Sequence, residues 1–403
     1  MTSFDSSPQL NAWRALLALA VVFIMLATTG WTAVHQHRAA ASPVDSDRTA
    51  WSRGSIAGAH LPDPTGPPAD LARFFASLTT QQRGRLAARY PFAVGNMNGA
   101  PVTLRYTANR NAIEASRKVE QSRMHDSRLS PDGQHDATRR MQRYESLLAP
   151  GRQVLAFDPA GPGRVAEVKG DLSTAQRVSV VVPGVDTDVL TFQREDHTWT
   201  APLGMATSLY DAERNAAPRT RTAVIAWADY TAPSGLGVDA ATARLAEEGA
   251  IRLNALLDAL PGHGALVLYC HSYGSVLCGV AARRMPERVT DIAVSGSPGM
   301  RASRASKLGT DARIWAMRDG NDWIRDVPNL EVGGLGHGAD PMSSAFGARI
   351  LSAAGARGHA GYFEPGTESL ENFAEIGIGA YRAVRCAHQV VTCRTGLPGT
   401  VTA

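Results

Sequence analysis

The chain is nearly without lysine. Lys118, Lys169 and Lys307 are its three, and the rest of its basic charge is arginine. Those basic residues are scattered among acids, as in Arg117-Lys118-Val119-Glu120, and no basic stripe interleaved with aromatics occurs. A formal charge of +4 spread in this way lacks the concentrated positive face of a nucleic-acid binder, so no nucleic-acid partner is expected. Cysteine is scarce as well. Cys270, Cys278, Cys386 and Cys393 contain no C-x-x-C pair, which removes the spacing of a structural zinc site or a thioredoxin-type centre. No metal and no organic cofactor is expected. Cys278 falls on an apolar helix face and reads as core. Cys386 and Cys393 either close a small loop in an oxidising compartment or stand as two free thiols. Charged residues make up 19%, too few for a disordered chain, and the 44% of hydrophobic residues suffice for a large core. The 403 residues allow one large α/β domain with additions.

The first 14 residues are polar, and Ala15 to Val34 then run without a charge. Trp13 and Trp31 bracket that run at a spacing of roughly 27 Å of helix, close to a hydrocarbon thickness. Tryptophans at both interfaces favour a spanning helix, so residues 1–38 are read as a membrane anchor. The alternative is a signal segment cleaved at Ala39-Ala40-Ala41. Either way the remainder is expected outside the cytoplasmic membrane, tethered or secreted. Residues 39–70 are rich in Ala, Ser, Pro and Gly and read as a linker. Residues 71–150 carry helical periodicity and high charge, and read as a helical extension or cap. From 151 to 385, β-branched runs alternate with amphipathic stretches, which predicts βα crossovers and a mostly parallel sheet flanked by helices. Residues 386–403 read as a C-terminal tail.

Within that alternation, Ala265-Leu266-Val267-Leu268-Tyr269 is a buried strand, Cys270-His271-Ser272-Tyr273-Gly274 a sharp turn, and Val276 to Arg284 a helix. A serine hydroxyl is a poor nucleophile until a base takes its proton. A tight strand-to-helix turn pushes it out of the sheet to where a histidine reaches it, and this setting makes Ser272 the candidate nucleophile. The pattern departs from G-x-S-x-G in having Cys270 at the first glycine position. The N–H of Tyr273 is one expected oxyanion donor. Val180-Val181-Val182-Pro183-Gly184-Val185-Asp186 supplies a strand and a turn whose Val185 or Asp186 N–H is the second, with Val185 preferred.

An acid and then a histidine complete such a site in chain order. Arg318-Asp319-Gly320-Asn321-Asp322 follows the strand Ile314 to Met317 and offers Asp322, with Asp319 as rival. Of the later histidines His337, His359 and His388, His359 sits in a glycine-flanked loop and is preferred, with His337 as rival.

The ordered segments Val94-Gly95-Asn96-Met97-Asn98-Gly99-Ala100-Pro101, Ala108-Asn109-Arg110, Val182-Pro183-Gly184, His271-Ser272-Tyr273-Gly274-Ser275, Gly296-Ser297-Pro298-Gly299-Met300, Ala339-Asp340-Pro341 and Gly358-His359-Ala360-Gly361-Tyr362-Phe363 resemble an actinobacterial α/β-hydrolase family of unknown function. The resemblance runs from about residue 70 to about 380 and implies the α/β-hydrolase fold. It supplies no substrate. The expectation is a serine hydrolase of an ester, thioester or amide, its small-molecule or lipid-like acyl group passing through an acyl-enzyme. The rivals are an acyltransferase on the same scaffold and a catalytically idle fold serving as an envelope binding module.

Overall fold

The computed structural model describes residues 42–387 and 391–397. The expected anchor at 1–38 and His388 lie outside the described residues. Among the described residues no helix is long and apolar enough to cross a membrane.

Eight strands form the main sheet: β1 (Val154–Asp158), β2 (Arg164–Gly170), β3 (Arg177–Val182), β4 (Thr222–Ala228), β5 (Ala265–His271), β6 (Val289–Ser295), β7 (Arg313–Met317) and β8 (Arg349–Ile350). Their spatial order is β8-β7-β6-β5-β3-β4-β2-β1. From β8 to β4 every neighbour is parallel, while β4–β2 and β2–β1 are antiparallel. β1 and β2 form a hairpin at the edge of the sheet. The interior strands are continuous apolar runs, because helices cover both faces of a parallel sheet. All seven residues of β4 are buried, for instance.

One face is covered by α9 (Arg244–Ala259), which follows the short α8 (Val238–Ala241), and by α10 (Tyr273–Ala281), the other by α7 (Pro202–Ala216) and α11 (Glu368–Ile378). Helix α9 shows how sequence makes this layer. Leu245, Ala246, Gly249, Ala250, Leu253, Leu256 and Leu257 recur at helical spacing and are all buried.

The extension is helical from α1 (Pro43–Ser52) through α2 (Pro68–Ser77), α3 (Thr80–Arg89), α4 (Pro91–Gly95), α5 (Val102–Arg123) and α6 (Pro131–Leu147). The linker expected at 39–70 is corrected over much of its length. Residues 43–52 are helical, and fully buried Trp51 packs on Phe74, Phe75 and Tyr90. A tryptophan with three aromatic partners outweighs the loop-like composition around it.

Two asparagines fasten the extension to the sheet edge. The Asn96 side chain donates to the Phe157 carbonyl (2.8 Å) and accepts from its N–H (3.0 Å), pairing with β1 as a further strand would. Asn109 donates to the carbonyls of Gly95 and Val154, both at 3.0 Å. Edge amides that would otherwise be open are thereby satisfied.

Cys278 departs from expectation, while Cys386 and Cys393 take the loop-closing alternative. Cys278 is bonded to Cys270, eight residues earlier, so it is not unpaired core. Cys386 is bonded to Cys393. The Cys393 carbonyl also accepts from Arg349 on β8 (2.8 Å), which ties the start of the tail to the sheet.

Candidate active site

β5 lies inside the sheet, and Ser272 is the first residue beyond its end. Its φ of 54° and ψ of −128° are a conformation that L-residues rarely adopt, at a cost on the order of 1–3 kcal/mol. The surroundings hold it there. Ser272 N–H donates to the Ser295 carbonyl (3.0 Å), and Ser275 Oγ donates to the Ser272 carbonyl (2.6 Å). Two glycines make the room. A Cβ on Gly274 would lie 2.3 Å from the Val182 carbonyl oxygen, and one on Gly184 would lie 2.5 Å from the Ser272 Cβ. Cys270, at the position of the missing first glycine, turns its side chain to Cys278 on α10, so the disulfide bridges the two sides of the elbow.

The structure brings Ser272, His359 and Asp322 into one line. Ser272 Oγ is 2.8 Å from His359 Nε2, and His359 Nδ1 is 2.8 Å from Asp322 Oδ1. Asp322 is fully buried. It accepts further bonds from the Ile324 N–H (3.0 Å) and from the Tyr362 hydroxyl. Burial pushes its carboxyl up, but the bonds from His359, Tyr362 and Ile324 together outweigh that and hold it below the usual carboxylate range. His359 lies in a short 3-10 segment, Gly358–Phe363, rather than in an open loop. A Cβ on Gly296 (φ +55°) would meet both Asp322 Oδ2 (2.9 Å) and the His359 ring (3.0 Å), so a bare backbone is what lets acid and base meet there.

The rivals occupy other places. Asp319 accepts from the N–H groups of Gly358 (2.9 Å) and Asn321 (3.1 Å), and so supports the backbone next to His359 without touching its ring. His337 is buried, its Nε2 is bonded to the Ala240 carbonyl (2.7 Å), and its ring lies edge-on to Tyr273. Burial pushes its pKa down.

Of the expected oxyanion donors, Tyr273 N–H opens α10, and Val185 N–H follows β3 with no acceptor among the described residues. The Asp186 N–H is taken by the Pro233 carbonyl (2.8 Å), which removes it as the alternative donor. Ser272, Tyr273 and Val185 together line a cavity of about 260 Å³ whose other walls include Leu236, Pro298, Trp323 and His337.

Three contributors were not singled out as site residues in the sequence. His271 is bonded through Nε2 to the His359 carbonyl (2.6 Å). Tyr362 holds the free oxygen of Asp322. The Trp323 ring lies 4.7 Å from that of His359. Adjacency to Ser272 and to His359 was the available signal for the first two.

A family model described as alpha/beta hydrolase matches residues 158–332, a span that includes Ser272 and Asp322 and ends before His359. An uncharacterized protein of Mycobacterium bovis is 30% identical over 207 residues, covering 48% of this chain and 77% of that one. An uncharacterized protein of Mycobacterium tuberculosis is 27% identical over 378 residues, 79% of this chain and 57% of the relative, so the chain spans little more than half of that protein's length. A dienelactone hydrolase from Anabaena variabilis overlaps with a TM-score of 0.33 at 15% identity, covering 55% of this chain and 93% of that one, too loosely to carry an argument. With its mostly parallel eight-stranded sheet and these matches, the chain belongs to the α/β-hydrolase family.

Proposed function

We propose that this protein is a serine hydrolase of carboxylic esters with apolar acyl groups, working through an acyl-enzyme. The observation that carries the reading is the unbroken line Ser272 Oγ, His359 Nε2, His359 Nδ1, Asp322 Oδ1, with both contacts at 2.8 Å. In that line His359 takes the Ser272 proton as the oxygen attacks the acyl carbon, and the buried Asp322 carboxylate stabilises the resulting imidazolium. The oxyanion is held by the N–H groups of Tyr273 and Val185, at the positive end of α10. His359 then returns the proton to the leaving alcohol, and water repeats the sequence to release the acid. The pocket supports an apolar acyl group. Trp323, Leu236, Val327 and Ile324 line it, and Trp323 (41% exposed) and Leu236 (69% exposed) also reach its surface.

The same reading places the domain outside the cytoplasmic membrane, tethered or secreted. All four cysteines are paired, which suits an oxidising compartment. Turnover of p-nitrophenyl esters from acetate to dodecanoate tests the activity. The expected result is a maximum at a medium chain length in wild type and loss of at least about a thousandfold in Ser272→Ala. Equal, slow hydrolysis by both proteins would overturn it.

A further inference from the structure

A second cavity, of about 300 Å³, lies among α1, α5, α9 and the end of β4. It shares no lining residue with the cavity over Ser272. Its chemistry is opposite in kind. Three guanidinium groups, of Arg48, Arg105 and Arg252, face it against a single carboxylate, that of Asp229.

That carboxylate is already engaged. Asp229 Oδ1 accepts from Arg252 (2.5 Å), and Arg164 approaches it at 3.8 Å. Among the described residues Arg48 reaches an acid only at 3.8 Å, in exposed Asp45. Arg105 has no carboxylate within ion-pair distance among the described residues, although it is 96% buried. Its Nε–H donates to the Gly95 carbonyl (3.1 Å) and one Nη1 hydrogen to Asn98 Oδ1 (3.2 Å), and its Nη2 has no acceptor among the described residues. Burial pushes the Arg105 pKa down to about 10, so it remains a cation at neutral pH. A buried guanidinium without a counter-ion is costly, and its fixed fork matches a carboxylate or phosphate. Trp227 and Leu256 add an apolar wall to the same cavity.

We propose that this cavity binds a small organic anion, with a carboxylate or phosphate group on Arg105 and Arg48 and an apolar body against Trp227, as a site separate from the serine. The ligand neutralises charge that the fold leaves unpaired. Asp229 directs the anion to the Arg105 side by repelling it from Arg252.

The test is calorimetric titration of the full chain with hexanoate, hexyl phosphate and hexanol, in wild type, Arg105→Met, Arg48→Met and Trp323→Ala. The expected result is saturable binding of at least one anion and none of hexanol, with the tighter anion naming the head group. Arg105→Met and Arg48→Met each weaken binding at least about tenfold. Trp323→Ala, which alters the serine pocket, leaves binding unchanged. Arg105→Met should also melt no lower than wild type without ligand, because it removes an unpaired buried charge and the Gly95 carbonyl keeps its Asn109 donor. If Arg105→Met fails to fold, Arg48→Met decides. Absence of saturable anion binding in wild type, or binding that Trp323→Ala abolishes and the arginine variants keep, overturns the proposal.

Discussion

His271 Nε2 lies 2.6 Å from the carbonyl oxygen of His359, so the residue just before the candidate nucleophile holds the backbone of the candidate base. The two rings also lie 4.9 Å apart. Burial, reinforced by the neighbouring His359, pushes the His271 pKa down to about 3, and a neutral ring must carry its proton on Nε2 to make this bond. His271→Phe keeps a flat ring and removes the donor. It should lower kcat by about tenfold with KM little changed, and His271→Gln should recover part of the loss. Steady-state kinetics on the preferred ester decide this. An unimpaired His271→Phe removes His271 from the positioning of the base.

The single substitutions should rank by the geometry. His359→Ala should cost about three to five orders of magnitude in kcat, and Asp322→Asn about two to four. His337→Ala should cost little, since its ring bonds to the Ala240 carbonyl and not to Ser272. Asp319→Asn should fall between, because it loosens the N–H of Gly358. A severe His337→Ala beside a mild His359→Ala would reverse the base assignment.

Stability should depend on pH through Glu213. This side chain is fully buried, and one carboxyl oxygen has no partner while the other accepts from Ser179. Burial outweighs the bond from Ser179 and raises its pKa to about 7 from an ordinary 4.5. The folded state therefore binds the extra proton between pH 4.5 and 7, and Glu213's contribution is lost as pH rises through that window. His271 works the other way, with its contribution present above 6.5 and lost as pH falls toward 3. Glu213→Gln removes the first dependence alone. Its melting temperature relative to wild type should be higher at pH 8 than at pH 5, by the equivalent of on the order of 2 kcal/mol. An equal difference at both pH values contradicts the assignment.

The Cys270–Cys278 bond closes a short loop around the elbow. Chain entropy alone assigns such a loop about 2 to 3 kcal/mol. Cys270→Ala/Cys278→Ala should lower the unfolding free energy read from a denaturant titration by that amount and broaden the acyl-chain preference as the turn loosens. Peptide mapping without reductant should recover 270 linked to 278 and 386 linked to 393. Free thiols at all four positions contradict the pairing.

The sheet was legible because its strands are β-branched runs buried on both faces, and a run such as Val178 to Val182 has no other comfortable conformation. The line of Ser272, Asp322 and His359 was legible from chain order and from glycines, which mark places where backbones must approach closely. Three features were hidden. The Cys270–Cys278 bond joins a strand end to a helix, and no cysteine spacing announces it. Residues 43–52 are helical because Trp51 finds aromatic partners, a tertiary effect beneath a loop-like composition. The arginine cavity gathers Arg48, Arg105 and Arg252 from three helices far apart in the chain, so in sequence each looks like one more scattered base.

Whether Ser272 is an activated nucleophile is tested most directly by covalent labelling with a fluorophosphonate, read by peptide mass spectrometry. One equivalent of probe is expected on Ser272, with none on folded Ser272→Ala and strongly slowed labelling in His359→Ala. A wild-type domain shown folded by circular dichroism that takes up no probe at saturating dose, or takes it up at another residue, would contradict it.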